Sequence, residues 1–257
     1  MKVVAQRLAE DRLLHLTLDH PKGNVLTLEV MGELRAALAF AKHDPHLRCV
    51  MVQGAGGHFS FGASVEEHRR EHAPAMLRGF HALIREIAEY PVPVAALVEG
   101  RCLGGAFELI LAAHFVLASP TARMGCPEIK LGVFPPVLAA LGPLRLGMAL
   151  TERLMLTGDT ITSETLSSVG ALAATLPDEE PLAGALAWYG QTLGPLSAHA
   201  LRQTARAARR HPLWQQSLGA ALDAVEAQYL AEVVTSHDGN EGIEAFIERR
   251  PPAWRDA

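Results

Sequence analysis

Glu108 is the single ionisable side chain between Leu103 and Ala113 in the run RCLGGAFELILAA, residues 101–113. A helix starting near the glycine pair places it within the first two turns, beside unpaired N–H groups and the positive end of the helix dipole. No face of that helix is polar. Burying a lone carboxylate costs several kcal/mol or moves its pKa strongly upward, so one persists where something compensates or where chemistry uses it. The ordinary alternative is a glutamate at a helix edge that reaches water or an arginine. A second glutamate, Glu128, directly follows Pro127. Two carboxylates facing one pocket push their pKa values apart, so that one serves as an ionised base while the other keeps a proton as an acid. That chemistry requires the fold to bring Glu108 and Glu128 together.

Two turns rich in small residues suggest a partner for the pair. Gly62 with Ala63, and Gly104 with Gly105, can each aim one backbone N–H at a shared point. Two such donors make an oxyanion hole, and losing one typically costs about 2.7 to 4 kcal/mol of transition-state stabilisation. A different chemistry is suggested by HRREH, residues 68–72, which matches the H-x-x-E-H zinc-protease pattern. Its flanks are hydrophilic and no third ligand stands out, so a solvated charged helix face is the better reading, and no metal is expected. The glycines at 54, 56 and 57 follow a strand but lack the Lys-Ser/Thr of a phosphate loop and the spacing of a dinucleotide fold.

The elements that must position these residues follow from periodicity. Residues 3–8 and 13–18 alternate apolar and polar as a hairpin, and 20–24 break the pattern. A helix is predicted over 27–42 with Thr27 as its N-cap, then a strand over 47–53. A long helix over 65–89 starts strongly charged. A buried-type strand over 91–99 feeds the Glu108 helix, and short strands follow at 115–118 and 122–126. Pro135 and Pro136 end any regular element before a helix from 137. From about residue 182 only helices are expected: 182–193, 195–210, 213–234 and 241–250. Alternating strands and helices argue an α/β core over 1–181, and 182–257 is a C-terminal helical region. No repeat of fixed period is evident.

Composition sets the outer bounds. With 257 residues and 49% hydrophobic content the chain can bury a large core. A net charge of -5 with scattered basic residues leaves no electrostatic footprint for nucleic acid or an anionic membrane. The cysteines, Cys49, Cys102 and Cys126, are odd in number and widely spaced, which suits a reducing compartment. The charged N-terminus does not read as a signal or transit peptide, and no uncharged stretch reaches membrane-spanning length. A cytoplasmic protein is expected.

FSFGASVEE, followed by VEGRCLGGAFELILAAHF and then ARMGCPEIKLGVFPP, resembles the enoyl-CoA hydratase and isomerase family, the crotonase superfamily. The likeness extends to the tail EGIEAFIERRPPAW, nearly the whole chain. It implies a spiral of repeated ββα units followed by helices that build homotrimers or dimers of trimers. It also implies an acyl-CoA thioester substrate, with CoA as part of that substrate and no separate cofactor. By the same resemblance, Ala63 and Gly105 match the two oxyanion N–H donors. Glu108 matches the glutamate that activates water, and Glu128 the one that delivers a proton to carbon. Lys22, Phe61, Ala63, Val65 and Gly104 fall where family members touch substrate, and Phe246 and Arg249 match tail positions that reach the adenine end of CoA.

The chain departs from the common pattern in two places. Ser64 stands where aspartate is usual, and FPPVLAALGP replaces a glycine-rich run, so that Phe134 to Pro136 should stiffen the acyl pocket. FSFGASVEEH together with PEIKLGVFPP is similar to the members that hydrate cyclohexa-1,5-diene-1-carbonyl-CoA in anaerobic benzoyl-CoA degradation. A general short-chain enoyl-CoA hydratase and a non-catalytic acyl-CoA-binding member are the other readings in view. Retention of both glutamates speaks against the last.

Overall fold

The computed structural model describes residues 1–257. Val3–Leu8 (β1) and Leu13–Leu18 (β2) form the expected antiparallel hairpin, with Val3 opposite Leu18 and Leu8 opposite Leu13. Cys49–Gly54 (β3) and Val94–Val98 (β4) join it in parallel. A second, smaller sheet begins with Arg101–Leu103 (β5). Phe115–Ala118 (β6) returns to the large sheet and Arg123–Gly125 (β7) to the small one. Thr160–Ile161 (β8) closes the small sheet and Ala174–Thr175 (β9) the large one, whose order is β1-β2-β3-β4-β6-β9.

The inner strands β3, β4 and β6 are apolar on both faces because both are covered. Successive side chains point to opposite sides of a strand. Val50 and Val52 therefore enter the main core, while Cys49 and Met51 enter a smaller one behind the sheet. Helices Pro181–Gln191 and Ala198–Ala208 close the smaller core through Ala185, Tyr189 and Leu201. The main core takes helices Leu28–Ala41, Ala73–Ala88, Gly105–Ala112 and Pro136–Arg145. It continues through Trp214, Leu222, Tyr229 and Ile243, so the later C-terminal helices share it.

Each turn of the chain repeats one path. A strand enters the large sheet, a short segment pairs sideways, and a helix returns. After β2, Leu26 bridges Ala63; after β3, Ser60 bridges Cys102; after β4, β5 pairs with β7, each in parallel. This is the ββα spiral implied by the resemblance. Its period is hidden in the sequence because successive strands of the large sheet begin at unequal spacing, at Leu13, Cys49, Val94 and Phe115.

The helix predicted over 65–89 is shorter than expected. A single 3-10 turn, Glu66–His68, precedes a helix that begins at Ala73. Pro74 lies in its first turn, where the missing N–H costs nothing and the ring disfavours helix in the residue before it. His68 and His72 therefore do not share a helical face, and no three His, Cys, Asp or Glu side chains converge as a metal site. The run expected as one helix over 213–234 includes two wider π-type segments, Ser217–Ala221 and Tyr229–Val233. No helix is long and apolar enough to cross a membrane.

Gly62 holds the second turn of the spiral against the third. Its φ is +100°, and a Cβ there would stand 2.6 Å from the Leu103 carbonyl oxygen. Gly62→Ala is expected to cost about 1 to 3 kcal/mol, read as an unfolding midpoint lowered by several degrees. A midpoint within a degree of the parent would show that this contact relaxes freely.

Candidate active site

All eight residues of the helix Gly105–Ala112 are buried, and Glu108 is 3% exposed. Its carboxylate is not compensated by its own helix start. Oε1 accepts hydrogen bonds from the backbone N–H groups of Val137 at 2.7 Å and Leu138 at 2.9 Å, in the first turn of Pro136–Arg145. A helix start has unpaired donors and a positive dipole end, and Pro136 at its beginning has no N–H to leave unmet. Burial raises the Glu108 pKa, the two N–H groups lower it, and the balance lies at about 7.

Glu128 opens a 3-10 turn, Glu128–Leu131, directly after Pro127. Its Oε2 is buried without a partner. Burial, and next the Glu108 charge, push its pKa up to about 8, partly offset by hydrogen bonds from its own backbone N–H and Cys126. The two carboxyls thus influence one another's charge. Glu108 has charge-stabilising donors and Glu128 has fewer, so Glu108 is the member that ionises first and Glu128 the one that holds the proton.

The two small-residue turns meet beside this pair. A Cβ built on Gly105 would lie 3.4 Å from both the N and the Cβ of Ala63, so the two backbones are in contact. Gly105 opens its helix and has no carbonyl a turn earlier to accept from it. The Ala63 N–H donates to no backbone carbonyl. Gly104 has φ +54°, and a Cβ there would stand 2.7 Å from Glu128 Oε1. Two backbone N–H groups without backbone acceptors and a carboxyl thus lie on adjoining stretches of chain. This arrangement can hold an oxyanion while protons move nearby.

The cleft that opens from here encloses about 740 Å³ and is lined by Lys22, Phe61, Gly62, Ala63, Val65, Gly104, Glu128 and Phe246, among others. Most of the expected substrate-contacting positions are thereby brought together. Arg249 is not among them: it caps its helix in a left-handed conformation, and its neighbour Arg250 lines the cleft, held by Glu241 and Glu248. Gly105, Glu108 and Phe134 lie outside the open cleft. Phe134 packs edge to face on Tyr229, ring centroids 5.3 Å apart.

A family model described as enoyl-CoA hydratase/isomerase matches residues 9–257. The chain belongs to the enoyl-CoA hydratase/isomerase family. It is an enzyme of the hydro-lyase type. Cyclohexa-1,5-dienecarbonyl-CoA hydratase of Thauera aromatica is 39% identical over 256 residues, covering 100% of this chain and 97% of that protein. Carnitinyl-CoA dehydratase of Salmonella typhimurium is 30% identical over 249 residues, with 95% of each chain covered. Among solved structures, an enoyl-CoA hydratase from Mycobacterium avium subsp. paratuberculosis superposes with a TM-score of 0.85 at 27% identity, covering 100% of this chain and 99% of that one.

Two residues that the sequence did not single out position the Gly62–Ala63 turn of this hydratase-family enzyme. Asn24 is 3% exposed, and its Nδ2 donates to the carbonyls of Ala55 at 2.9 Å and His58 at 3.0 Å. Ser60 Oγ donates to the Asn24 carbonyl at 2.7 Å and accepts from the Gly62 N–H at 3.0 Å. The partners are far apart in the chain, so only Asn24, with its tolerance of positive φ after Gly23, carries a local signal.

Both glutamates bind protons more tightly in the folded chain than in the unfolded one. The stability each contributes is therefore full below the ordinary 4.5 and lost as pH rises through about 7 and about 8. Glu128→Gln removes one of these titrations and is expected to lessen the fall in unfolding midpoint between about pH 5 and about pH 9. An unaltered slope would mean that the Glu128 carboxyl is solvated.

Proposed function

We propose that the protein hydrates a conjugated cyclic dienoyl-CoA, converting cyclohexa-1,5-diene-1-carbonyl-CoA to 6-hydroxycyclohex-1-ene-1-carbonyl-CoA. The observation that carries the reaction type is the buried glutamate pair beside two free N–H donors. Support for the cyclic substrate comes from the full-length relative whose printed name specifies it, and from Phe134, Pro135 and Pro136, which stiffen the chain directly before the donors to Glu108.

The thioester oxygen accepts from the Ala63 and Gly105 N–H groups. Ionised Glu108 takes a proton from water as the water oxygen bonds to the ring carbon β to the thioester. Charge then spreads from the thioester oxygen into the remaining ring double bond as a dienolate, stabilised by the two donors. Glu128 delivers its proton at the far end of the diene, and a new ring double bond forms next to the thioester carbon. One water is added in all, and the pair ends with Glu108 protonated and Glu128 ionised, so a proton exchange resets it. The easier ionisation of Glu108 supports these roles in the same sense as the family pattern. Lys22 lines the cleft without a carboxylate partner, a fitting cation for a CoA phosphate. Phe61 and Phe246, 45% and 56% exposed, offer apolar contact to the pantetheine arm and adenine.

A general short-chain enoyl-CoA hydratase would use the same pair. Purified protein incubated separately with cyclohexa-1,5-diene-1-carbonyl-CoA and crotonyl-CoA, followed by chromatography and mass, distinguishes the two. Gain of one water on the cyclic thioester in preference to crotonyl-CoA is expected, and turnover of crotonyl-CoA alone would reject the cyclic substrate. Glu108→Gln and Glu128→Gln should each lose at least about a hundredfold in turnover while remaining folded. Near-parent turnover in both variants would sink the two-carboxylate mechanism.

A further inference from the structure

The longest C-terminal helical run turns a tyrosine inward at the point where it widens. Tyr229 begins the π-type segment Tyr229–Val233, whose register is marked by the Val234 N–H donating to the Tyr229 carbonyl at 3.0 Å. Such widenings reorient one side chain and recur at functional sites. Tyr229 is 2% exposed, and its hydroxyl has no hydrogen-bond partner in the protein. Another buried tyrosine is served differently: Tyr90 donates to the Leu38 carbonyl at 2.8 Å.

The surroundings of the unmet hydroxyl are specific. The Tyr229 ring meets the edge of Phe134. Phe134 lies in the short stretch between Glu128 and the Val137 and Leu138 N–H groups that hold Glu108. The segment Leu222–Gln228, just before Tyr229, packs on the helix Pro136–Arg145 that supplies those groups. Burial, then the charges of Glu128 and Glu108, push the Tyr229 pKa upward, so the phenol keeps its proton and serves as a neutral donor and acceptor. A buried hydroxyl with no protein partner, within range of the charges of both glutamates, is available to a partner that arrives with the substrate.

We propose that the Tyr229 hydroxyl is a third polar group of the acyl pocket, hydrogen-bonding the oxygen that the reaction adds to or removes from the ring. Tyr229 reads the hydroxylated thioester and steadies the oxygen opposite the carboxylate that exchanges its proton. It transfers no proton itself. This inference rests on the hydratase reading for its chemistry and extends it to a residue that selects hydroxylated over plain acyl groups.

The test is binding in a background that does not turn over. Full-length Glu128→Gln protein, with and without Tyr229→Phe, is titrated with 2-hydroxycyclohexane-1-carbonyl-CoA and with cyclohexane-1-carbonyl-CoA by calorimetry. Loss of the phenol should weaken the hydroxylated thioester by roughly three- to tenfold, the range of one neutral hydrogen bond, and leave the plain one within about twofold. The single Tyr229→Phe variant should unfold at the parent midpoint or above it, since no protein hydrogen bond is lost. Equal weakening of both ligands, unchanged affinity for both, or a lowered midpoint would each overturn the assignment. The binding comparison needs no turnover. If the parent hydrates neither test substrate, the hydratase reading fails separately while the Tyr229 inference is still decided.

Discussion

The active site depends on one hydrogen-bonded contact, the Glu108 carboxylate seated on the N–H groups of Val137 and Leu138. A carboxylate in an apolar interior is costly unless fixed dipoles replace the water it has lost. Here the replacement comes from the open end of another helix, so two helices far apart in the chain are tied through one oxygen. The tie sets where the second carboxylate oxygen points. It also separates Glu108 from Glu128, whose Oε2 has no such support. Unequal solvation of two similar side chains is what makes one ionise before the other.

The spiral supplies the geometry around that contact. Equivalent points of neighbouring turns lie side by side, so Ala63 in one turn meets Gly105 in the next without any side chain to aim them. The closeness of these two N–H groups is a consequence of stacking. Glycine at 62 and 104 permits it, since both have positive φ and both are pressed against atoms that leave no room for a Cβ. Asn24 and Ser60 brace the upper of the two turns from behind.

How much of this was legible in the sequence depended on whether the signal was local. Glu108 stood out because a lone charge interrupts an apolar run. The Thr27 cap was readable as well, and its side chain accepts from Val30 N as such caps do. The helix starts at Ala73 rather than at 65 because Pro74 sets the boundary, a signal that the run of charged residues before it masks. Val137 and Leu138 act through backbone N–H groups, which leave no mark on residue identity. Tyr229 stayed invisible for another reason: its importance lies in what its hydroxyl fails to meet in the folded chain. The repeat, too, emerges only in three dimensions, since its turns differ in length.

The parallel pairing of β5 with β7, and of Ser60 with Cys102, has a consequence of scale. One residue of strand spans about 3.3 Å, while a useful hydrogen bond tolerates only a few tenths of an ångström. A slip of a single rung would carry Gly105 wholly out of contact with Ala63. The small sheet thus works as a gauge block: loops between turns are free to lengthen, and the spacing of Ala63 from Gly105 stays the same as long as the rungs align.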